Sequence, residues 1–266
     1  MNRILNAIVK RLPSHALDRA EERLLGLRPF ERLDVPSPAA LTITCDDGES
    51  KDLDIADVLD RRGVKGTFAV SPDLIGRPGF LDYEQLRGLH ARGHEIAFHG
   101  TTHDPFTGFR DKAALTAVCR EGVRRLQAEG LGPVSTVIYP YGKHDRAVRA
   151  AMRDLFGCGF TTWFGLNRGR TNRYAIRRVP FGAYTGKLPA TEAWYRQLID
   201  TCARDGGWLT LMLHPAAEGH RSEHDALLGR LIDHARERGM PVRAANEHLA
   251  PAGGEVRQAA STASAA

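Results

Sequence analysis

The sequence predicts an α/β fold in which parallel strands form a sheet that is either open or closed into a barrel. Short apolar, β-branched runs alternate with helical segments along the chain, and this alternation is typical of a parallel sheet covered by helices. Several predicted helices end at a glycine, as helices commonly do. With 266 residues, the chain can bury one large core and has the size of a single α/β barrel.

The elements divide the chain into one large domain, 40–250, with an extension (1–39) before it and a tail (251–266) after it. The predicted strands are 41–45, 65–71, 94–98, 134–139, 159–163, 176–181, 208–213 and 240–243. The predicted helices are 52–62, 82–92, 112–129, 145–156, 190–204 and 223–238.

The two ends of the chain differ from this domain. Residues 251–266 are rich in Ala, Gly and Ser, so we expect a disordered tail. Residues 3–12 carry apolar side chains at helical spacing with basic residues among them, which predicts an amphipathic helix. This helix has two interpretations: it docks on the inner face of an anionic membrane, or it covers the bottom of the barrel or a partner subunit.

The N-terminal helix lacks the properties of a secretory signal, because its apolar run is short and interrupted and no small-residue cleavage site follows. No stretch approaches the ~20 apolar residues of a transmembrane helix. The cysteines are scattered without paired spacing, which favours reduced core thiols: Cys45, Cys119, Cys158 and Cys202. We therefore expect a cytoplasmic protein, with peripheral contact to the inner face of the membrane as the second interpretation of the helix.

Two adjacent carboxylates, Asp46 and Asp47, follow the first predicted strand. They repel each other unless a cation or a shared proton lies between them. His99 and His103 follow another strand and are four residues apart, a spacing that one helical turn would place on one side. One Asp and two His make a three-ligand metal site with a coordination position left for water, as in catalytic metal sites. Asp46 then stands beside this site as the general base of a hydrolase.

Two more polar clusters follow strands: Tyr139-Pro140-Tyr141-Gly142 and His214. Carboxyl ends of parallel strands meet on one face, so all four clusters are expected to converge. Taken singly, each has a simpler interpretation. The acidic pair suits a turn with a helix cap, the histidines a polar loop, and the Pro-Tyr-Gly segment a common strand-end turn. The functional interpretation depends on the order of the four clusters along the chain and on the fact that each cluster follows its own predicted strand.

The ordered set Thr-x-Asp-Asp-Gly, His-x-x-x-His, Pro-Tyr-Gly and Leu-x-His resembles the polysaccharide deacetylase family, the carbohydrate esterases built on the NodB homology domain. The resemblance covers about residues 40–245. It implies a distorted (β/α) barrel with about seven parallel strands and a divalent metal enzyme that removes acetyl groups from N-acetylated sugars. The roles that it implies are Asp46 as base, Asp47, His99 and His103 as metal ligands, His214 as general acid and the Tyr141 backbone N–H as oxyanion donor.

This ligand set indicates one divalent ion, with Zn²⁺ as the first choice and Co²⁺, Ni²⁺ or Mn²⁺ also admitted. The sequence departs from the family at Cys45, where members usually have Phe, and at Ile138, where many members have an Arg that pairs with the base. In the predicted strand around residues 175–179, alternation turns only one of Arg177 and Arg178 inward. The resemblance to the Leu-Pro-Arg-Ile stretch of members without the upstream Arg favours Arg178. A solvated arginine pair is an equal alternative.

The formal net charge is +5, and five arginines follow a strand closely: Arg168, Arg170, Arg173, Arg177 and Arg178. We expect this segment at the active-site face, where Arg168, Arg170 and Arg173 would bind a phosphate or carboxylate; a solvated loop is the alternative. Nucleic acid is a weaker alternative, because no aromatics interleave with the arginines and no binding motif is present. The candidates for the apolar platform under a sugar ring are Trp163, Tyr139, Tyr141 and Phe106, although core packing uses the same residue types.

Three functions agree with these patterns. The first is N-deacetylation of an amino-sugar intermediate, nucleotide-linked or polyprenyl-diphosphate-linked, in the biosynthesis of an envelope glycan of the lipopolysaccharide, O-antigen or capsule type. The second is metal-dependent hydrolysis of a non-sugar amide. The third is glycan binding by a catalytically silent relative, which the intact catalytic set disfavours and the Ile138 departure weakly favours. The oligomeric state stays open.

Overall fold

The computed structural model describes residues 32–183 and 185–249. The strands within these ranges are β1 (Arg32–Asp34), β2 (Ala40–Cys45), β3 (Thr67–Val70), β4 (Glu95–Phe98), β5 (Thr136–Ile138), β6 (Cys158–Phe164), β7 (Arg170–Asn172), β8 (Ile176–Pro180) and β9 (Trp208–Leu213). Seven of these strands form a closed parallel barrel in the order β2-β3-β4-β5-β6-β8-β9, and β9 pairs with β2 to close it. The predicted barrel of about seven parallel strands is confirmed.

The six predicted helices are present. They are α1 (Asp52–Asp60), α2 (Tyr83–Ala91), α3 (Lys112–Ala128), α4 (Arg146–Met152), α5 (Glu192–Asp205) and α6 (Ser222–Glu237), and a short α7 (Ala245–Leu249) follows them. Side chains at the N-caps of four helices explain where these helices begin, because each accepts a hydrogen bond from the backbone N–H three residues later. These caps are Asp82, Asp111, Asp145 and Thr191.

Residues 240–243 do not form the predicted strand. The segment makes one parallel bridge, between Val242 and Leu41. This bridge lies near the start of β2, whereas β3 pairs only with Thr44 and Cys45 at the end of β2. The chain then turns beneath the barrel into α7. The additional sheet of β1 and β7, which are antiparallel, was not predicted either.

The lower part of the barrel is filled and closed. Phe160 and Trp208 pack edge to face inside it, with ring centroids 5.5 Å apart. Below them, the buried carboxylate of Glu95 accepts hydrogen bonds from Thr67 at 2.8 Å and from the backbone N–H of Asn246 at 3.0 Å. Since the interior is packed at this end, the mouth at the carboxyl ends of the strands is the side open to a substrate.

All four cysteines are buried and free, as expected of core thiols. Burial raises the pKa of Cys119 to about 12, which makes its thiolate scarce at neutral pH. In the described part of the chain, no helix has the length and apolar character needed to cross a bilayer. The predicted amphipathic helix (3–12) and the predicted tail (251–266) lie outside the described residues.

Candidate active site

The four predicted polar clusters meet at the mouth of the barrel. Asp46 and Asp47 follow β2, His99 follows β4, the Pro140–Gly142 turn follows β5 and His214 follows β9. Asp46, His99 and His214 each follow the last residue of a buried strand directly, so their positions depend on the barrel and not on a free loop. This is the convergence that the sequence predicts for carboxyl ends of parallel strands.

The carboxylate of Asp47 and two imidazoles form a compact group of metal-ligand atoms. Asp47 Oδ1 lies 3.2 Å from His99 Nε2 and 3.1 Å from His103 Nε2. One ligand atom from each residue lies within 4.8 Å of the others. His99 Nδ1 lies 2.8 Å from the carbonyl of Ile138; if this nitrogen donates to it, Nε2 keeps its lone pair free. Three electron-rich atoms at this spacing fit a divalent cation.

The electrostatics of Asp47 agree with this assignment. Burial by itself raises the pKa of Asp47, but the neighbouring imidazoles of His103 and His99 outweigh burial and hold the pKa far below its usual value. Asp47 is therefore ionised and available as a ligand at neutral pH.

Three site residues have backbone conformations in the left-handed region: Asp47 with φ 78°, His103 with φ 68° and Tyr141 with φ 56°. Such conformations cost about 1–3 kcal/mol each and cluster at functional sites. The expected helical turn between His99 and His103 is wrong. The segment after β4 is a bent loop with Gly100 at φ 79°, and this loop folds the two rings together with centroids 4.7 Å apart.

Asp46 forms a buried, two-pronged ion pair with Arg178 of β8. Nη1 lies 2.6 Å from Oδ1 and Nη2 lies 2.8 Å from Oδ2. The guanidinium also donates to Thr44 Oγ1 at 3.0 Å and to the carbonyl of Thr161 at 2.8 Å. Burial alone raises the pKa of Asp46, but the charge of Arg178, followed by those of His214 and His99, lowers it below its usual value. Asp46 is thus ionised although it is buried.

The inward position of Arg178 distinguishes it from its neighbour Arg177. Arg178 is fully buried in the barrel, whereas Arg177 is half-buried with its guanidinium 6.0 Å from the ring of Trp163. Ile138, where many family members have an arginine, is buried in the apolar cluster inside the barrel. The cation beside Asp46 therefore comes from β8 and not from β5.

His214 faces both carboxylates from the end of β9. Its Nε2 lies 3.7 Å from Asp46 Oδ2 and 3.9 Å from Asp47 Oδ2. Its side chain is mostly buried, with 16% exposed, so one edge reaches the mouth. This position allows proton transfer to a group bound between the ring and the carboxylates.

The Pro140–Gly142 turn places Tyr141 at the rim. The Tyr141 side chain is 60% exposed, and its ring centroid lies 4.7 Å from that of His103. Gly142 has φ 65°, and a Cβ there would lie 2.7 Å from the backbone N of Thr162. Only glycine lets this turn lie against β6. The close approach fixes the height of the Tyr141 backbone above the metal ligands.

Of the four predicted aromatic platforms, the structure buries Tyr139 and Phe106 in the core and leaves Tyr141 exposed at the rim. Tyr139 is fully buried, donates its hydroxyl to the carbonyl of Tyr174 and stacks on His144. Trp163 contacts His144, with ring centroids 4.7 Å apart, and β6 has a register irregularity between Phe160 and Phe164.

The predicted position of Arg168, Arg170 and Arg173 at the active-site face is wrong. After β6 the chain reverses, and Asn167 pairs antiparallel with Trp208, the first residue of β9. Arg168 forms an ion pair with Asp205, at the end of α5, with 3.4 Å between the charged atoms. Arg170 belongs to β7, and the carbonyl of Arg173 accepts a hydrogen bond from Gly159 near the start of β6. All three arginines therefore lie at the opposite end of the barrel.

Three residues of the site region were missed in the sequence. Thr44 and Thr161 hold the Arg178 guanidinium, and Thr44 could have been found because it lies two residues before Asp46 on the same face of β2. Asp52 is the third. It is completely buried, and neither carboxylate oxygen has a hydrogen-bond partner within the part of the chain that the structure describes. Burial, followed by the charges of Asp47, Glu49 and Asp46, raises its pKa well above its usual value.

Asp52→Asn is expected to stabilise the metal-free protein increasingly as pH rises. Because the pKa is raised in the folded state, the unfolded chain releases this proton at a lower pH than the folded chain does. The wild type therefore loses stability as pH rises from the ordinary carboxyl range to the folded-state pKa. The variant has no such loss. We expect its advantage to grow from near zero at pH 4 to roughly 1–3 kcal/mol at pH 8, the scale of an unpartnered buried polar group.

Thermal unfolding at several pH values, without divalent cations, measures this difference. Asp54→Asn is the matched control, because Asp54 lies on the same helix, is exposed and pairs with Lys51. A stability difference for Asp52→Asn that is flat with pH, like the control's, would contradict the prediction.

Comparisons with known proteins agree with this geometry. A family model described as "Polysaccharide deacetylase" matches residues 34–158, just under half of the chain. No curated protein sequence matches the chain. A family 4 acetyl xylan esterase from Clostridium thermocellum, solved with a cobalt ion, is similar at TM-score 0.57 and 16% identity, covering 79% of this chain and 90% of its own.

Two further solved structures have the same fold. A family 4 carbohydrate esterase from Streptomyces lividans, solved with acetate, has TM-score 0.54 and 13% identity over 79% of this chain and 92% of its own. A CE4 family pseudoenzyme from Bacillus anthracis has TM-score 0.55 and 17% identity over 82% of this chain and 68% of its own. Residues 34–158 are thus similar to the polysaccharide deacetylase family, and the barrel has the fold of the family 4 carbohydrate esterases.

Proposed function

We propose that the protein is a metal-dependent N-deacetylase that releases acetate from an N-acetylated amino sugar. One observation carries the proposal: an ionised base, a three-ligand metal set and a histidine acid meet in a single mouth. Asp46 is paired with Arg178, while Asp47 gathers the two imidazoles and His214 faces both carboxylates. A glycan-binding protein has no need of this combination.

A divalent cation held by Asp47, His99 and His103 supplies Lewis-acid polarisation of the acetyl carbonyl and makes water more acidic. The Asp46 carboxylate, kept ionised by Arg178, accepts a proton from the attacking water. The backbone N–H of Tyr141 donates a hydrogen bond to the oxyanion that develops at the carbonyl. His214 donates a proton to the amine nitrogen as the C–N bond breaks, so that acetate and a free amine leave.

Removing both imidazoles is expected to abolish stoichiometric metal binding. His99→Ala/His103→Ala leaves one carboxylate, which holds a divalent transition metal far more weakly than three ligands do. Elemental analysis of protein equilibrated with Zn²⁺, Co²⁺, Ni²⁺ or Mn²⁺ measures the loss and identifies the preferred ion. The control is His90→Ala/His224→Ala, which removes two imidazoles outside the site. Equal metal content in the two double variants would contradict the proposed ligand set.

The finer substrate assignment is a nucleotide-linked or polyprenyl-diphosphate-linked intermediate of envelope glycan synthesis. The arginine segment gives it no support, since Arg168 and its neighbours lie at the far end of the barrel. Acetate release from free, nucleotide-linked and lipid-linked N-acetyl sugars, with N-acetylated non-sugar amines in the same panel, tests the assignment. Release from the non-sugar amines alone would favour the second function. Bound metal with no release from any substrate would favour a silent relative.

A further inference from the structure

His144 follows the turn that places Tyr141 at the mouth. Lys143 separates it from this turn, and the next residue, Asp145, is the N-cap of α4 and accepts a hydrogen bond from the backbone N–H of Val148 at 2.9 Å. The backbone around His144 is therefore fixed by the turn before it and by the helix after it. The mechanism above gives the side chain of His144 no part.

The imidazole of His144 packs against two aromatic rings. It stacks on the ring of Tyr139 with centroids 5.0 Å apart and an interplanar angle of 10°, and its centroid lies 4.7 Å from that of Trp163. Tyr139 is itself held in place, since it is fully buried and its hydroxyl donates to the carbonyl of Tyr174 at 3.1 Å. These contacts fix the imidazole relative to the barrel.

One nitrogen of the His144 ring binds the turn. Nδ1 lies 3.0 Å from the carbonyl oxygen of Gly142, which can only accept a hydrogen bond. Nε2 is buried and has no hydrogen-bond partner among residues 32–183 and 185–249. Burial lowers the pKa of His144 to about 4, so the ring is neutral at neutral pH and carries one proton. This proton belongs on Nδ1, where it is donated to the turn.

The turn needs this support because its backbone conformation is strained. Tyr141 and Gly142 both lie in the left-handed region, with φ 56° and φ 65°. Such a conformation is unfavourable for a residue with a side chain and persists only where the surrounding structure fixes it. The backbone N–H groups of Gly142 and Lys143 donate inside the turn, at 2.8 and 3.1 Å. His144 adds a third bond, at the carbonyl of Gly142, and this bond joins the turn to the aromatic packing behind it.

We propose that His144 is a positioning residue, whose Nδ1–H holds the Tyr141–Gly142 turn so that the Tyr141 backbone N–H is aimed at the developing oxyanion. The inference rests on the proposed function and deepens it, because it names the side chain that places the oxyanion donor. Without this bond the strained turn relaxes and the donor moves away from the acyl oxygen. A displacement of about 1 Å is enough to lower a rate ~10²-fold.

The test separates the hydrogen bond from the packing of the ring. His144→Phe keeps an aromatic ring against Tyr139 and Trp163 but has no donor, whereas His144→Asn loses the ring and places an amide N–H donor where Nδ1 lies. We measure kcat and KM for acetate release by the metal-loaded protein with the fastest substrate of the panel above, together with metal content and thermal unfolding. The control is His248→Phe, the same change in a half-buried histidine at the other end of the barrel, whose ring centroid lies 5.3 Å from that of Trp208.

We expect His144→Phe to lower kcat by about 10- to 10²-fold, and kcat/KM equally, because an oxyanion donor acts in the transition state. Metal content and KM should stay at the wild-type values. His144→Asn should unfold at a lower temperature than His144→Phe and yet recover most of kcat, an order that a purely structural role would not give. If His144→Phe misfolds, His144→Leu replaces it, since leucine also lacks a donor.

A kcat for His144→Phe equal to the control's, or equal losses in His144→Phe and His144→Asn, would overturn the positioning role. Amide hydrogen exchange measured by NMR tests the turn without catalysis. The Gly142 and Lys143 amides should exchange faster in His144→Phe than in wild type, and His144→Asn should resemble wild type. If wild type releases no acetate from any substrate, the deacetylase proposal fails, while faster exchange in His144→Phe still supports the hold of His144 on the turn. Unchanged exchange of both amides in His144→Phe would refute that hold.

Discussion

Asp46→Asn is expected to lower kcat by about 10²- to 10⁴-fold, the usual contribution of a general base, with metal content unchanged. Asparagine has the shape of aspartate, and its amide oxygen can still accept a hydrogen bond from Arg178. It cannot accept a proton from water at neutral pH. The loss should therefore appear in kcat and in kcat/KM together, which is the signature of an interaction made in the transition state.

Acetate release, elemental analysis and thermal unfolding on the same preparation separate catalysis from folding. Asp57→Asn is the control, since Asp57 is an exposed carboxylate of α1 that pairs with Arg92. A fall of less than tenfold for Asp46→Asn would assign the base to another group. His214→Ala should give a loss of the same order, because the amine leaves slowly without a proton donor.

Arg178→Leu is expected to cost about 3–5 kcal/mol of folding free energy at pH 7, because it leaves the buried Asp46 carboxylate unpaired. The sign with pH follows from the lowered pKa of Asp46. The pair stabilises the fold above the ordinary carboxyl pKa, and its contribution is lost as pH falls through the folded pKa. The difference between variant and wild type should thus be largest near neutrality and shrink in acid.

The same variant should move the acidic limb of the kcat/KM profile to higher pH, since Asp46 then holds its proton more tightly. Arg177→Leu is the control: it removes the adjacent arginine of β8, which lies outside the barrel. Chemical denaturation and a pH profile of acetate release measure the two effects. If Arg178→Leu matched Arg177→Leu in both, Arg178 would not be the partner that sets the charge of the base.

The parts of the site that could be predicted are those that depend on local sequence. Asp46, His99 and His214 each come directly after a buried strand, so knowing where the strands end was enough to bring them to one face. The position of the arginine segment depended on a distant pairing, between Asn167 and Trp208, which no local pattern contains. The His99–His103 turn failed for a local reason, because a left-handed His103 is not indicated by residue spacing.

Alternation along β8 could show that one arginine of the pair faces inward, but not which one. That choice is set by the register of β8 against β9, where Val179 pairs with Leu211. A shift of one residue would exchange Arg177 and Arg178.

The Arg178 guanidinium also has a consequence for how the site forms during folding. It joins β8 to β2 and β6, with sequence separations of 132 residues from Asp46, 134 from Thr44 and 17 from Thr161. Contacts of such long range form late, after the chain has met the entropic cost of closing large loops. In a folding intermediate whose barrel is still open, Asp46 would lack the Arg178 cation. Asp46 therefore gains its cation only when the barrel closes. The onset of activity during refolding is expected to report barrel closure.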